Sequence, residues 1–211
     1  MSGLMFGIWE QCIDLALEAY NAGSIGIAAV IIDANGNVVA AGRNQLKDSL
    51  VSCSAIRMTS IAHAEINALN NLPWDKQKVR GLTLYTTVEP CPMCIGAIAM
   101  SRIRRVVVGS ADPYAGSVHL LEIDDYLRQK GIAVEFTQGK VEEICFALHY
   151  LSLRHYHKPE HPVFRALQAR YPAYARKLDD LLNSSFLPHK ELDEAQLMQA
   201  VDGEHGELGS G

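Results

Sequence analysis

The chain has 211 residues, of which 48% are hydrophobic and 20% charged, and its formal net charge is −5. This composition excludes a disordered or fibrous protein and indicates one generous globular domain, or a domain with a helical appendage. No apolar run approaches the roughly 20 residues of a membrane span and the N-terminus lacks signal-peptide features, so we expect a cytoplasmic protein without membrane contact. Five cysteines at irregular spacing argue against a disulfide framework and favour metal or catalytic use.

The predicted elements alternate between helices and strands over the first 154 residues. An amphipathic helix comes first, because apolar residues recur at helical spacing between positions 6 and 19 before an Asn-Ala-Gly-Ser stop. Strand-like runs, of which 26–32 is apolar throughout, together with turn signals predict strands at residues 26–32, 38–43, 82–88, 104–109 and 132–137. Further helices are predicted at residues 62–70, 93–101, 120–130 and 142–154.

The order of these elements predicts an α/β fold. A turn at residues 33–37 joins the first two strands into a hairpin, whereas the later strands need crossovers, so we expect a layered sandwich with a mixed five-stranded sheet. A linker is predicted at residues 154–162, and two or three helices at residues 163–182 and 190–201. We therefore divide the chain into a main domain at 1–154, a C-terminal helical extension at 155–201 and a disordered tail at 202–211.

Two short stretches carry residue types that are used in metal chemistry. His63 and Glu65 begin one predicted helix, and Cys91 and Cys94 begin another directly after the third strand. A CxxC at a helix start places both sulfurs on one side of one turn, where they can bind one tetrahedral ion with His63 as a third ligand. Three protein ligands leave one zinc position open, as in catalytic sites. Glu65 could carry protons there without binding the metal.

Other uses of these residues stay open. The two cysteines could form a redox dithiol, or Cys53 could add a fourth ligand and close a structural zinc site. Glu65 could be an ordinary solvated carboxylate of a helix. Cys12 and Cys145 lie among apolar residues of predicted helices, and we expect both in the core.

Four stretches resemble the cytidine deaminase superfamily, within it the branch of tRNA adenosine deaminases and guanine deaminases. They are AAVIIDANGNVVAAGRN (28–44), AHAEINAL (62–69), LYTTVEPCPMCIGAIAMSRIRRVVVG (84–109) and AGS (115–117). The resemblance implies a three-layer α/β/α sandwich and hydrolytic removal of an exocyclic amine as ammonia. It implies one Zn²⁺ per chain, held by His63, Cys91 and Cys94, with Glu65 as the proton shuttle.

The same resemblance implies how a substrate is held. The side chain of Asn44 would hydrogen-bond the base, and the backbone amide of Ala64 would face the leaving or carbonyl group. Members of the family are often dimeric, so the resemblance also suggests a homodimer.

Several departures from the family pattern bear on the substrate. Asn44 and His63 are separated by 18 residues, a long connection that could reshape the mouth of the pocket. Guanine deaminases carry a pair of aspartates that has no counterpart after Gly116. Residues 162–211 hold five Lys or Arg against eight Asp or Glu, which disfavours tRNA because its phosphates attract positive charge.

Two clusters allow more than one interpretation. The basic run at 101–105 is either a phosphate contact or a cation cluster at a helix C-terminus. His155, Tyr156, His157 and His161 are either linker residues or a patch that covers a base. We predict a deaminase of a free purine-type or related heterocyclic base or nucleoside. The alternatives are a tRNA adenosine deaminase and a zinc-stabilised binding protein without activity.

Overall fold

The computed structural model describes residues 3–48, 55–73, 75, 81–183 and 191–202. Its strands form one sheet in the order β2-β1-β3-β4-β5, and they are β1 (Ala28–Ile32), β2 (Val38–Arg43), β3 (Thr83–Val88), β4 (Arg105–Ser110) and β5 (Ala133–Phe136). β1 pairs antiparallel with β2 and β3, whereas the β3–β4 and β4–β5 pairs are parallel. The predicted mixed five-stranded sheet is confirmed.

The helices in the described ranges are α1 (Gly3–Asn21), α2 (Ala64–Asn71), α3 (Pro92–Met100), α4 (Leu120–Ile123), α5 (Asp125–Arg128), α6 (Lys140–Tyr156), α7 (Pro162–Arg170), α8 (Pro172–Asn183) and α9 (Glu194–Asp202). The single helix predicted at 120–130 is wrong, because Asp124 interrupts it and its carboxylate caps α5. The predicted start of the linker at residue 154 is also wrong, because α6 continues to Tyr156. Pro172 begins a new helix after α7, so the C-terminal part holds three described helices.

The sheet lies between two helical layers. Side chains alternate along β1: Ala29 and Ile31 join a cluster with α2 and α3, whereas Val30 and Ile32 join one with α1 and α6. The predicted three-layer α/β/α sandwich is thus confirmed. The second cluster also holds Cys12 and Cys145, both fully buried, so their predicted place in the core is confirmed.

The C-terminal helices share a third apolar cluster with α1 and α6. Phe146 and Leu148 of α6 pack there with Phe164 of α7, Leu178 of α8 and Leu197 of α9. We propose that α7–α9 extend the main domain, although the predicted boundary at 154 falls inside α6. The predicted tail beyond Asp202 and the first residue of the predicted last helix, Lys190, lie outside the described residues. No helix in the described ranges is long and apolar enough to cross a bilayer.

Candidate active site

The candidate metal ligands meet at the carboxyl end of β3, where two helices begin. His63 is the N-cap of α2 and Cys91 the N-cap of α3, and neither side chain caps its own helix. Pro92 follows Cys91 at the first helical position, which favours a helix start at this point. Both side chains are therefore left to point at each other, and the positive ends of the two helices favour a thiolate between them.

Three ligand atoms form a triangle that fits one zinc ion. The His63 Nδ1 lies 3.5 Å from the Cys91 Sγ and 3.6 Å from the Cys94 Sγ, and the two sulfurs are 3.6 Å apart. Zinc bonds of about 2.3 Å to sulfur and 2.0–2.1 Å to nitrogen, at tetrahedral angles, place ligand atoms about 3.5–3.8 Å apart. Within the described ranges these three residues form the sole such metal-ligating group, and Cys53 lies outside those ranges.

The two thiols share their protons unequally. The hydrogen bond between the two thiols, together with the one to His63, lowers the pKa of Cys91 to about 4. The pKa of Cys94 is raised by the same bond to Cys91 and by burial. The two groups are one coupled pair, which releases its first proton easily and its second with difficulty. A bound cation removes that difficulty, because metal binding requires and stabilises both thiolates.

Glu65 places a carboxylate beside this group from the second position of α2. Its side chain is 4% exposed, and its Oε2 lies 3.3 Å from the Cys94 Sγ. The Thr86 hydroxyl donates to Oε1 at 3.2 Å, which fixes the carboxylate against β3. Burial raises the pKa of Glu65, so the carboxylate takes up a proton more readily than an exposed one. A buried, restrained carboxylate of this kind suits proton transfer.

A cavity of about 170 Å³ opens in front of His63, Cys91 and Glu65. That volume is more than ten times the roughly 10–15 Å³ that one water needs, so a much larger molecule fits. Asn44 and Ala64, the two predicted substrate contacts, both line the cavity. The Asn44 Oδ1 accepts the backbone N–H of Leu46 at 3.2 Å, which restrains the amide at the cavity.

The C-terminal segment supplies one wall of the cavity, although only half of the predicted aromatic patch takes part. His157 and His161 line it and stack with ring centroids 4.0 Å apart. His161 also meets the edge of Tyr114 at 5.8 Å. In contrast, the His155 Nε2 bonds the Tyr20 hydroxyl at 2.8 Å, outside the cavity. The predicted fourth member, Tyr156, packs under the Lys47 ammonium instead.

The sequence analysis missed several residues of the cavity lining, among them Glu89, Tyr114 and His149. Glu89 accepts backbone N–H groups from Asp112 and Val118, so it ties the loop after β4 to the end of β3. Tyr114 projects from that loop. His149 lies on the apolar face of α6, four residues after Cys145 and four before Leu153. A histidine at such a position, within a buried stripe, is the signal that could have identified it.

Two other predicted features lie away from the cavity. The described part of the long connection packs on α2, where the Ile56 N–H donates to the Asn67 Oδ1 at 2.8 Å. None of its described residues lines the cavity, and residues 49–54 lie outside the described ranges. In the basic run, Arg105 pairs with Glu135 at 2.9 Å at the amino end of β4, the opposite end of the sheet from the site.

Comparison with known proteins connects this geometry to a family. Residues 7–110 match the model of the cytidine and deoxycytidylate deaminase zinc-binding region. A tRNA-specific adenosine deaminase of Haemophilus influenzae is 37% identical over 140 residues, which are 64% of this chain and 75% of the relative. A cytosine deaminase of Candida albicans is 34% identical over 115 residues, 53% of this chain and 70% of the relative.

A solved structure from a study of A-to-I editing by tRNA:A34 deaminases gives a TM-score of 0.54 at 26% identity, covering 63% of this chain and 98% of its own. The matched regions contain the histidine, both cysteines and the glutamate of the site. The chain therefore belongs to the zinc-dependent hydrolytic deaminases of the cytidine and deoxycytidylate deaminase family.

Proposed function

We propose that the protein removes the exocyclic amine of a free purine-type or related heterocyclic base or nucleoside and releases ammonia. The observation that carries this proposal is the wall of the cavity. His157, His161 and Val163 of the chain's own C-terminal segment line the same space as His63 and Glu65. A cavity bounded in this way suits a small flat molecule better than a nucleotide that remains part of a folded RNA.

The proposed roles follow from the positions of the side chains. His63, Cys91 and Cys94 would hold one zinc ion, which supplies a Lewis acid and lowers the pKa of water. Glu65 would take a proton from the water whose oxygen adds to the amine-bearing ring carbon, and pass it to a ring nitrogen or to the amine that departs as ammonia when the C–N bond breaks. The Asn44 amide and the N–H of Ala64, the first residue of α2, orient the base.

Charge supports a free substrate. Residues 162–211 carry five basic and eight acidic side chains, so the C-terminal part has a net charge of −3 and no general attraction for phosphates. The relative from Candida albicans, whose name describes a deaminase of cytosine, shows that a family member of similar identity can act on a free base.

Deamination of adenosine in tRNA is the second candidate. It is favoured by the 37% identity to the tRNA-specific adenosine deaminase of Haemophilus influenzae. In this case the wall formed by His157 and His161 would have to make room for a loop of RNA.

One substrate panel separates the two candidates. The zinc-loaded full chain is incubated with adenine, guanine, cytosine, their nucleosides and a tRNA anticodon stem-loop, and ammonia is measured. We expect repeated turnover of at least one free compound and none of the stem-loop. Turnover of the stem-loop alone would replace the proposal with the second candidate, and no turnover at all would favour a zinc-stabilised binding protein.

We also propose that the protein is a homodimer. Exposed apolar side chains support this: Met100 is 72% and Ile123 is 68% exposed, and the Tyr126 hydroxyl contacts the Met100 sulfur at 3.4 Å. Light scattering coupled to size exclusion should give twice the mass of the chain. A monomer at micromolar concentration would refute the dimer.

A further inference from the structure

We infer that His149 is a substrate-binding residue that hydrogen-bonds a polar atom of the base other than the reacting amine, and thereby selects among bases. This inference rests on the proposed function, because it concerns the same cavity. It goes further by assigning specificity to a residue of α6, far along the chain from the metal-ligand motif.

The first support is an unpartnered polar atom in a closed position. His149 is 4% exposed and lines the cavity with Glu65 and Asn44. Its Nδ1 is buried and has no hydrogen-bond partner among the described residues. Buried polar atoms are nearly always paired, so a lone one in a residue that lines a cavity points to a partner supplied by a ligand or by ordered water.

The second support is the chemical form of the ring. Burial lowers the pKa of His149, and the negative charge of Asp112 opposes that shift only in part. The Asp112 Oδ1 instead accepts the backbone N–H groups of Tyr114 and Ala115, at 2.9 and 3.1 Å. A neutral imidazole offers one donor and one acceptor, so it can pair with a carbonyl, a ring nitrogen or an N–H of a base.

A preference among bases follows, because leaving the buried imidazole of His149 without a hydrogen-bond partner costs free energy. A site that is built to hydrogen-bond a substrate rejects the analogue that lacks the bonding atom far more strongly than it rejects a small change of apolar volume. We therefore expect this protein to prefer bases that carry a second polar atom in reach of His149. Deaza analogues, in which one ring nitrogen becomes C–H, should reveal which atom that is.

The test compares His149→Leu and His149→Gln with His155→Leu as a matched control. His155 is on the same helix but bonds Tyr20 outside the cavity. For the preferred base we expect His149→Leu to lower kcat/KM by about 10- to 100-fold, mainly through KM, and to leave the zinc content unchanged. His149→Gln, which keeps a hydrogen-bonding group, should recover part of the loss. His155→Leu should leave KM unaltered.

A second measurement separates this inference from the proposed function. Binding of adenine, guanine and cytosine is measured by calorimetry in a Glu65→Gln background, which needs no turnover. Weaker binding with His149→Leu supports the inference even if the wild type releases no ammonia. One deaza analogue should bind equally well to the Glu65→Gln protein with and without His149→Leu, since the atom it lacks is the partner of His149. Unchanged affinity and unchanged discrimination with both substitutions at 149 would overturn the inference and leave His149 a core residue.

Discussion

The candidate active site has two regions that are built in different ways. The metal-ligand region consists of His63, Glu65, Cys91 and Cys94, which two helix N-termini bring to the end of β3. The C-terminal wall consists of His149, His157 and His161, which reach the same cavity through the packing of α6 and the segment that follows it. In the proposed function, the first region would carry the chemistry and the second would limit which molecules enter the cavity. Substitutions should therefore separate the reaction from the choice of substrate.

The largest effect is expected from removing a metal ligand. Cys91→Ser should abolish bound zinc and reduce ammonia release to background, because a hydroxyl is a poor replacement for a thiolate. Zinc is measured by mass spectrometry on the purified protein. Cys12→Ala is the matched control, since Cys12 lies in the core away from the cavity, and it should keep its zinc. A Cys91→Ser protein with full zinc would exclude the ligand role of Cys91.

The next effect concerns the proton carrier. Glu65→Gln preserves the size of the side chain and the contact with Thr86, but the amide cannot take up the proton. We expect the zinc content to stay the same and kcat to fall by about 10²- to 10⁴-fold, the range typical of general acid-base groups. Ammonia release at a rate close to that of the wild type would show that another group moves the proton.

A smaller effect tests how α2 is held against the sheet. A Cβ at Gly42 would lie 2.2 Å from the backbone nitrogen of Ala68, so Gly42→Ala must push α2 away from β2. We expect a loss of about 1–3 kcal/mol in the free energy of unfolding, and weaker zinc binding because His63 begins this helix.

Gly96→Ala is the control for that substitution. A Cβ at Gly96, inside α3, meets nothing within 4 Å, so alanine should leave stability unchanged or raise it by about 0.5–1 kcal/mol. Equal stabilities of the two variants, measured by urea unfolding, would mean that α2 tolerates the shift.

The smallest expected effect is a pH dependence of the free energy of unfolding, caused by His149 in the C-terminal wall. Because burial lowers the pKa of His149 in the folded state, the unfolded chain binds more protons below the ordinary value of 6.5. Stability from this group is present above pH 6.5 and is lost as the pH falls, by up to about 1.4 kcal/mol per unit. His149→Leu should flatten the decline between pH 6.5 and 5 in urea unfolding. An unchanged slope would show that the folded protein protonates His149 normally.

The two regions also differ in how far the sequence predicted them. His63, Glu65, Cys91 and Cys94 could be identified because each pair follows from the local spacing at a helix start, and the sheet brings the two starts together. Asn44 was predicted as a substrate contact from the resemblance to the deaminase family, and the structure places it in the cavity lining. His149 was missed, because a single histidine in an apolar helix has no local signature, and only the packing of α6 places it at the cavity.

The predicted helix boundaries were wrong where a local interaction competed with the helical pattern. The apolar spacing at 120–130 is helical, yet Asp124 caps a new helix and breaks the run. The predicted patch at 155–161 was divided because α6 continues to Tyr156, which turns His155 towards Tyr20 and leaves His157 and His161 at the cavity. The point at which α6 ends determines which of these side chains face the cavity, and the sequence pattern did not specify that point.

The central claim is that the protein supplies three zinc ligands and leaves one position to solvent or substrate. X-ray absorption at the zinc edge of the purified, zinc-loaded chain tests it directly, because sulfur and nitrogen or oxygen neighbours differ in distance and scattering. We predict two sulfur neighbours at about 2.3 Å and two lighter neighbours at about 2.0–2.1 Å. Three sulfur neighbours, reduced to two by Cys53→Ala, would show a closed structural site and contradict the account.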